Sequence, residues 1–114
     1  MDLMDEITVW KAPQKGRDAA REIVRGFDPN LYPGDGPYLA LEQTLAKKWQ
    51  EIYENGLQEF HLARPIFEEL ARKGWIRDDF YFPGRSCHVL PEGLTAFNEA
   101  LQQGTPNTYT PQGK

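Results

Sequence analysis

Five side chains in the second half of the sequence have the types and spacing of a phosphate-contacting set: His61, Arg64, Arg72, Lys73 and Arg85. Arginine and lysine bring positive charge and N–H donors to phosphate oxygens, and a histidine ring can join them. Arg64, Arg72 and Lys73 bracket the segment PIFEELA, which has a helical pattern. Arg85 follows Pro83-Gly84, the residue pair of a type II turn, so it stands at the exit of an exposed hairpin tip. An arginine there can enter a narrow minor groove. A second basic stripe, Arg17, Arg21 and Arg25, recurs at i,i+4 and is read as a helix flank paired with Asp18 and Glu22.

Other chemistries find less support. Cys87-His88 lies near Asp78-Asp79, but a zinc site needs four ligands, usually in Cys-x2-Cys or similar spacing. Adjacent residues on a strand point to opposite faces, so Cys87 and His88 do not form a nucleophile–base pair. Cys87 is read as half-buried and His88 as a surface residue. No glycine-rich phosphate loop or serine nucleophile motif occurs. The expectation is a protein that is not an enzyme and uses no cofactor or metal.

The elements that would position these residues follow from pattern. The chain has 114 residues, 39% hydrophobic and 12% aromatic, enough for one modest core. Its net charge of −4 weighs against a plain polyanion binder, although the arrangement of the thirteen basic residues matters more than their sum. One cysteine excludes an internal disulfide and suits the reducing cytoplasm. No apolar run is long enough to span a membrane, and the start MDLMDEI lacks the features of a signal peptide.

Residues 1–13 read as a strand over Ile7-Thr8-Val9-Trp10, or an N-terminal arm packed through Trp10, although Leu3, Ile7 and Trp10 also recur at helical spacing. Residues 16–27 read as a helix with Ala19, Ala20, Ile23, Val24 and Phe27 inward, and 28–37 as a loop. Tyr38, Leu41, Leu45, Trp49 and Ile52 step at helical spacing, which predicts a helix over 37–55 stopped at Asn55-Gly56. A short helical or irregular piece is expected before Pro65, which opens a helix to Lys73 stabilised by Glu68–Arg72 and Glu69–Lys73 pairs. Residues 75–82 and 85–90 form the hairpin. Pro91 opens a last helix with Leu94, Phe97, Ala100 and Leu101 inward, and about 104–114 is a polar tail.

The order helix, helix, short helix, hairpin, helix, together with LARKGWI at 70–76, Gly84-Arg85 and VLPEG at 89–93, resembles the winged-helix DNA-binding domain of MarR-like and PadR-like transcriptional regulators. The resemblance covers roughly residues 57–101. It implies a mainly α fold with a small antiparallel β-hairpin: a winged helix-turn-helix with a three-helix core, a wing and a C-terminal helix, in one domain over 1–114. It further implies a small cytoplasmic regulator or accessory factor that binds double-stranded DNA, as a homodimer. Its contacts would be Arg64, Arg72, Lys73, Arg85 and His61. The acidic balance and Glu68-Glu69 on the presumed recognition helix favour the alternative, a protein–protein interaction module without nucleic acid. One core is expected to gather Trp49, Phe67, Leu70, Ile76, Val89, Leu94 and Phe97.

Overall fold

The computed structural model describes residues 5–32, 34, 36–79 and 85–113. The chain forms a six-stranded antiparallel sheet with four α-helices, an α+β fold in place of the expected winged helix-turn-helix. The strands are β1 (Glu6–Lys11), β2 (Tyr38–Ala40), β3 (Leu57–Ala63), β4 (Ile76–Asp79), β5 (Ser86–Val89) and β6 (Thr108–Thr110). They lie in the order β4-β5-β2-β1-β3-β6. The helices are α1 (Ala19–Arg25), α2 (Gln43–Tyr53), α3 (Arg64–Arg72) and α4 (Leu94–Leu101).

The segments expected as arm and tail are parts of this sheet. β1 pairs with β3 from Glu6↔Ala63 to Lys11↔Gln58, and β6 adds to the far edge of β3. The segment before Pro65, expected to be helical or irregular, is the long strand β3. Its inward positions are Gln58, Phe60 and Leu62, all fully buried, alternating with half-buried Leu57, Glu59, His61 and Ala63. The alternation has the two-residue period of a strand, and the polar Gln58 at an inward place disguises it.

The helix expected over 37–55 is likewise corrected. Tyr38, Leu39 and Ala40 form β2, paired with β5 in the register Leu39↔Cys87, and α2 begins only at Gln43. The spacing of Tyr38 and Leu41 with Leu45 continued the helical stripe across a strand boundary. Ile52, assigned to that stripe, is 70% exposed. The inner face of α1 is also turned: Val24 is 68% exposed, whereas Ala19 and Glu22 are buried. The expected hairpin does form, with β4 and β5 paired antiparallel from Ile76↔Val89 to Asp79↔Ser86. Its tip, with Pro83-Gly84 and the aromatic run Phe80-Tyr81-Phe82, lies outside the described residues.

Two apolar clusters lie on opposite sides of the sheet. Val9, Leu39, Phe60, Leu62, Cys87 and Val89 project to one side and meet Leu70 of α3, Leu94 and Phe97 of α4, and Phe27 just beyond α1. Phe27 is the hub, with its ring centroid 5.1 Å from Phe60 and 6.3 Å from Phe97. Burying each such ring contributes ~2 kcal/mol. On the other side α2 packs Leu45, Ala46 and Trp49 against Ala12 and Ala40. Trp49 therefore belongs to a second core and not to the single one expected. Thr8, Trp10, Glu59 and His61 lie on this side of β1 and β3 and are half-buried. Among the described residues no helix is long and apolar enough to cross a membrane.

Candidate functional site

β1 and β2 meet at one register pair, Trp10↔Ala40. A cavity flanks each end of this contact.

The first lies where β1 runs out at Lys11 and β2 begins at Tyr38, and has a volume of about 310 Å³. The period of β1 turns Lys11 to the same side as Ile7 and Val9. It is 6% exposed, opposite the buried Gln58. Among the described residues no carboxylate forms a salt bridge with it. Its Nζ sits 5.4 Å from the centre of the Tyr32 ring, and the Arg17 guanidinium lies 4.6 Å from the same centre. Tyr38, Trp49 and Tyr53 complete an aromatic wall. Tyr38 is backed by His88, ring centroids 5.3 Å apart; His88 is half-buried rather than a surface residue, and its Nδ1 has no partner among the described residues.

Behind this wall is a buried polar cluster. Tyr32 donates its hydroxyl to Glu22 Oε2 at 2.5 Å, and Gln58 Nε2 donates to Glu22 Oε1 at 2.9 Å and to the Ala19 carbonyl at 3.2 Å. Gln58 Oε1 has no partner among the described residues. Burial pushes Lys11 down to about 8, with Arg17 acting in the same direction and the Glu22 carboxylate opposing both. Burial also pushes the Tyr32 hydroxyl up, reinforced by its hydrogen bond to Glu22. Lys11 is thus still mostly a cation at neutral pH, but a poorly solvated one, and its charge is available to whatever enters the cavity. A shifted ionisable group in a cleft is a candidate functional site on physical grounds.

The expected pairing of the basic stripe with Asp18 and Glu22 is replaced by other contacts. Asp18 caps α1 by accepting from the Arg21 N–H at 3.1 Å. Arg17 donates to the Leu31 carbonyl at 2.9 Å, which holds it over Tyr32.

The second cavity, about 420 Å³, opens at the other end of β1 between Thr8 and Trp10 on one side and Leu41, Phe67, Arg64 and Arg85 on the other. Two of the five expected contact residues therefore share one groove. Arg64 Nε donates to Asp5 Oδ1 at 3.0 Å, and Arg85 is exposed. His61 stands beside the groove with its Nδ1 3.1 Å from Thr8 Oγ1. Arg72 and Lys73 lie at the far end of α3. Arg72 pairs with Glu69, a step of three residues rather than four, and Lys73 lies over the Trp75 ring at 4.7 Å.

Comparison with known proteins finds no match to any family model, curated protein or solved structure.

Sequence reasoning missed Lys11, Arg17, Tyr32, Tyr38, Trp49 and Tyr53 as a set. One signal was available: with Ile7 and Val9 inward on a strand, Lys11 must be inward too. The others come from a helix, a loop and a second strand, and only the folded topology brings them together.

Proposed function

We propose that the chain binds a small molecule carrying a planar ring and an anionic group in the Lys11 cavity, at the scale of a mononucleotide or smaller. The observation that carries this reading is Lys11 itself: a buried lysine that, among the described residues, has no salt bridge and only the more distant Glu22 carboxylate to balance it, facing a space walled by aromatic rings. An anionic ligand supplies a direct counter-charge, Arg17 adds a second cation, and Tyr38, Trp49 and Tyr53 offer faces and edges for the ring. The volume of about 310 Å³ lies at the small end of the range for small-molecule sites. We place this activity in the cytoplasm, where the single cysteine, Cys87, stays reduced.

Trp49 reports on the site directly. Titration with mononucleotides and with aromatic carboxylates should change its fluorescence and give saturable heats in calorimetry. Lys11→Met and Arg17→Ala should each weaken binding about tenfold or more, the scale of a lost charge-assisted hydrogen bond. Absence of binding across the panel at millimolar concentration, or unchanged affinity in Lys11→Met, overturns the reading.

The DNA-binding expectation depended on a recognition helix placed beside a wing by a preceding helix and turn. Here α3 follows directly on β3, and Arg72 and Lys73 are held by Glu69 and Trp75. Those arguments favour the cavity over duplex DNA as the ligand site.

A further inference from the structure

On the α2 side of the sheet, four half-buried side chains of β1 and β3 are joined end to end. Thr8 Oγ1 lies 3.1 Å from His61 Nδ1. His61 Nε2 lies 3.1 Å from Glu59 Oε2, and the other oxygen of Glu59 accepts the Trp10 indole N–H at 3.0 Å. Backbone register fixes the arrangement, since Thr8↔His61 and Trp10↔Glu59 are cross-strand pairs and Glu59 and His61 are two residues apart on one face. The His61 N–H donates to Asn107 Oδ1 at 2.8 Å, which ties this point of β3 to the chain before β6. When Glu59 accepts the Nε2–H, the ring presents its Nδ1 lone pair to the Thr8 hydroxyl. A hydroxyl, an imidazole and a carboxylate in series have the connectivity that activates an oxygen nucleophile. The hydroxyl end is the end that opens on the second cavity, which is lined by Arg64 and Arg85 and also by Glu68 and Glu6, the latter hydrogen-bonded to Thr105.

We propose that Thr8 is an acyl-accepting nucleophile and that the second cavity takes small carboxylic esters bearing an anionic group, drawn by Arg85, which has no salt bridge among the described residues, whereas Arg64 is held by Asp5. This rests on the Thr8–His61–Glu59 chain and is independent of the ligand of Lys11. In the first half-reaction His61 Nδ1 takes the hydroxyl proton as Thr8 Oγ1 bonds to the carbonyl carbon and the carbonyl π pair moves onto oxygen. Collapse restores the carbonyl and breaks the bond to the alkoxy oxygen, which leaves with the proton from His61. In the second, water gives a proton to His61 Nδ1 and bonds to the acyl carbon. Thr8 Oγ1 then leaves and recovers that proton. The sum is ester plus water giving acid plus alcohol. Thr8 and His61 are the catalytic residues; Glu59 is a positioning residue that fixes the ring.

A fluorophosphonate tests the nucleophile without the complication of turnover, because loss of fluoride leaves a stable phosphorus–oxygen bond. Peptide mapping of the treated wild-type chain should place the label on Thr8. Thr8→Ser should keep the label and His61→Gln should slow its formation roughly 100-fold or more. Glu59→Gln should slow labelling by leaving the ring without its Nε2 acceptor, and Glu59→Asp, which keeps the carboxylate, should recover part of the rate. p-Nitrophenyl acetate should be turned over by the wild type and not by Thr8→Val. A wild-type chain left unlabelled at Thr8 by millimolar reagent overturns the proposal without need of any variant. So does labelling at the same rate in His61→Gln.

Discussion

Trp10 and Ala40 form the only register pair between β1 and β2 among the described residues. β1 is paired along its whole length to β3, and β2 along its whole length to β5, so this one pair joins two otherwise separate halves of the sheet. An antiparallel sheet zipped throughout has no space between neighbouring strands. Here the strands part on both sides of Trp10 and Ala40, and the two cavities occupy the gaps.

Gly36 sets one of these gaps. It has φ of 79°, and a Cβ there would lie 1.7 Å from the carbonyl oxygen of Val89, a backbone atom that a side-chain rotation does not clear. Gly36→Ala should therefore push the start of β2 away from the end of β5 and cost about 2–4 kcal/mol in urea unfolding. Gly16→Ala is the matched control, with φ of 92° and open space around the added carbon. It should cost only about 1 kcal/mol. Equal losses would show that Gly36 matters through its backbone angle alone.

Lys11 predicts a dependence on alkaline pH. Its folded value of about 8 lies below the ordinary 10.5, so between the two the unfolded chain holds more protons than the folded one. Stability therefore rises with pH over this window, by up to roughly 3 kcal/mol, as the cost of burying the charge is relieved. Urea midpoints of wild type and Lys11→Met from pH 7 to 10 should converge or cross as the wild type gains. The subtraction removes the titrations of Tyr32, Arg17 and Glu22, which surround this position and are present in both proteins. Glu22→Gln removes the attraction that opposes deprotonation, so the gain should then begin at lower pH.

The sequence made some of this legible and concealed the rest for identifiable reasons. Helix α3 was announced by Pro65 and Gly74, α4 by Pro91 and its apolar spacing, and the β4–β5 hairpin by its flanking turn. Each of these is a local signal. β3 was hidden by Gln58, an inward polar residue whose Nε2 finds its acceptors on α1, at Glu22 and the Ala19 carbonyl, 36 and 39 residues away. β2 was hidden because three residues are too few to show a period, and its Tyr38 fitted the stripe of the following helix. The Lys11 cavity depends on β1, β2, α2 and the loop carrying Tyr32 together, so no single window of sequence contained it. The groove was visible only through Arg64 and Arg85, which had been selected for another chemistry.

Asn98 clamps the turn after α1. Its Oδ1 accepts from the Phe27 N–H and its Nδ2 donates to the Phe27 carbonyl, both at 2.8 Å. Asn98→Ala should cost about 2–3 kcal/mol, since it strands two backbone groups beside the core hub. A Cβ on Gly26 would lie 2.5 Å from Asn98 Oδ1, so Gly26→Ala collides with the same clamp, and φ of 78° adds backbone strain. The double variant should be less damaging than the two single losses combined, because removing the amide makes room for the methyl. Strict additivity in a double-mutant cycle would refute the clamp.

Arg85 separates the remaining readings of the second cavity. It is exposed, lines the groove, and among the described residues forms no salt bridge with Asp78; its own carbonyl accepts the Leu41 N–H at 2.9 Å. Arg85→Ala should thus leave the melting temperature nearly unchanged, within the ~0.5 kcal/mol expected of a surface substitution. On duplex DNA the acidic chain should bind weakly in a fluorescence-anisotropy titration at physiological salt, as for non-specific contact. If the groove instead contacts phosphate, Arg85→Ala should reduce the salt slope of log K by about one unit. If it takes a small anionic ester, Arg85→Ala should leave any DNA affinity unaltered and raise KM for an anionic ester against the neutral acetate ester. The contrast between charged and neutral substrates removes any shared loss of folding. A tight, sequence-dependent DNA complex weakened by Arg85→Ala would return the groove to nucleic acid and take the ester from it.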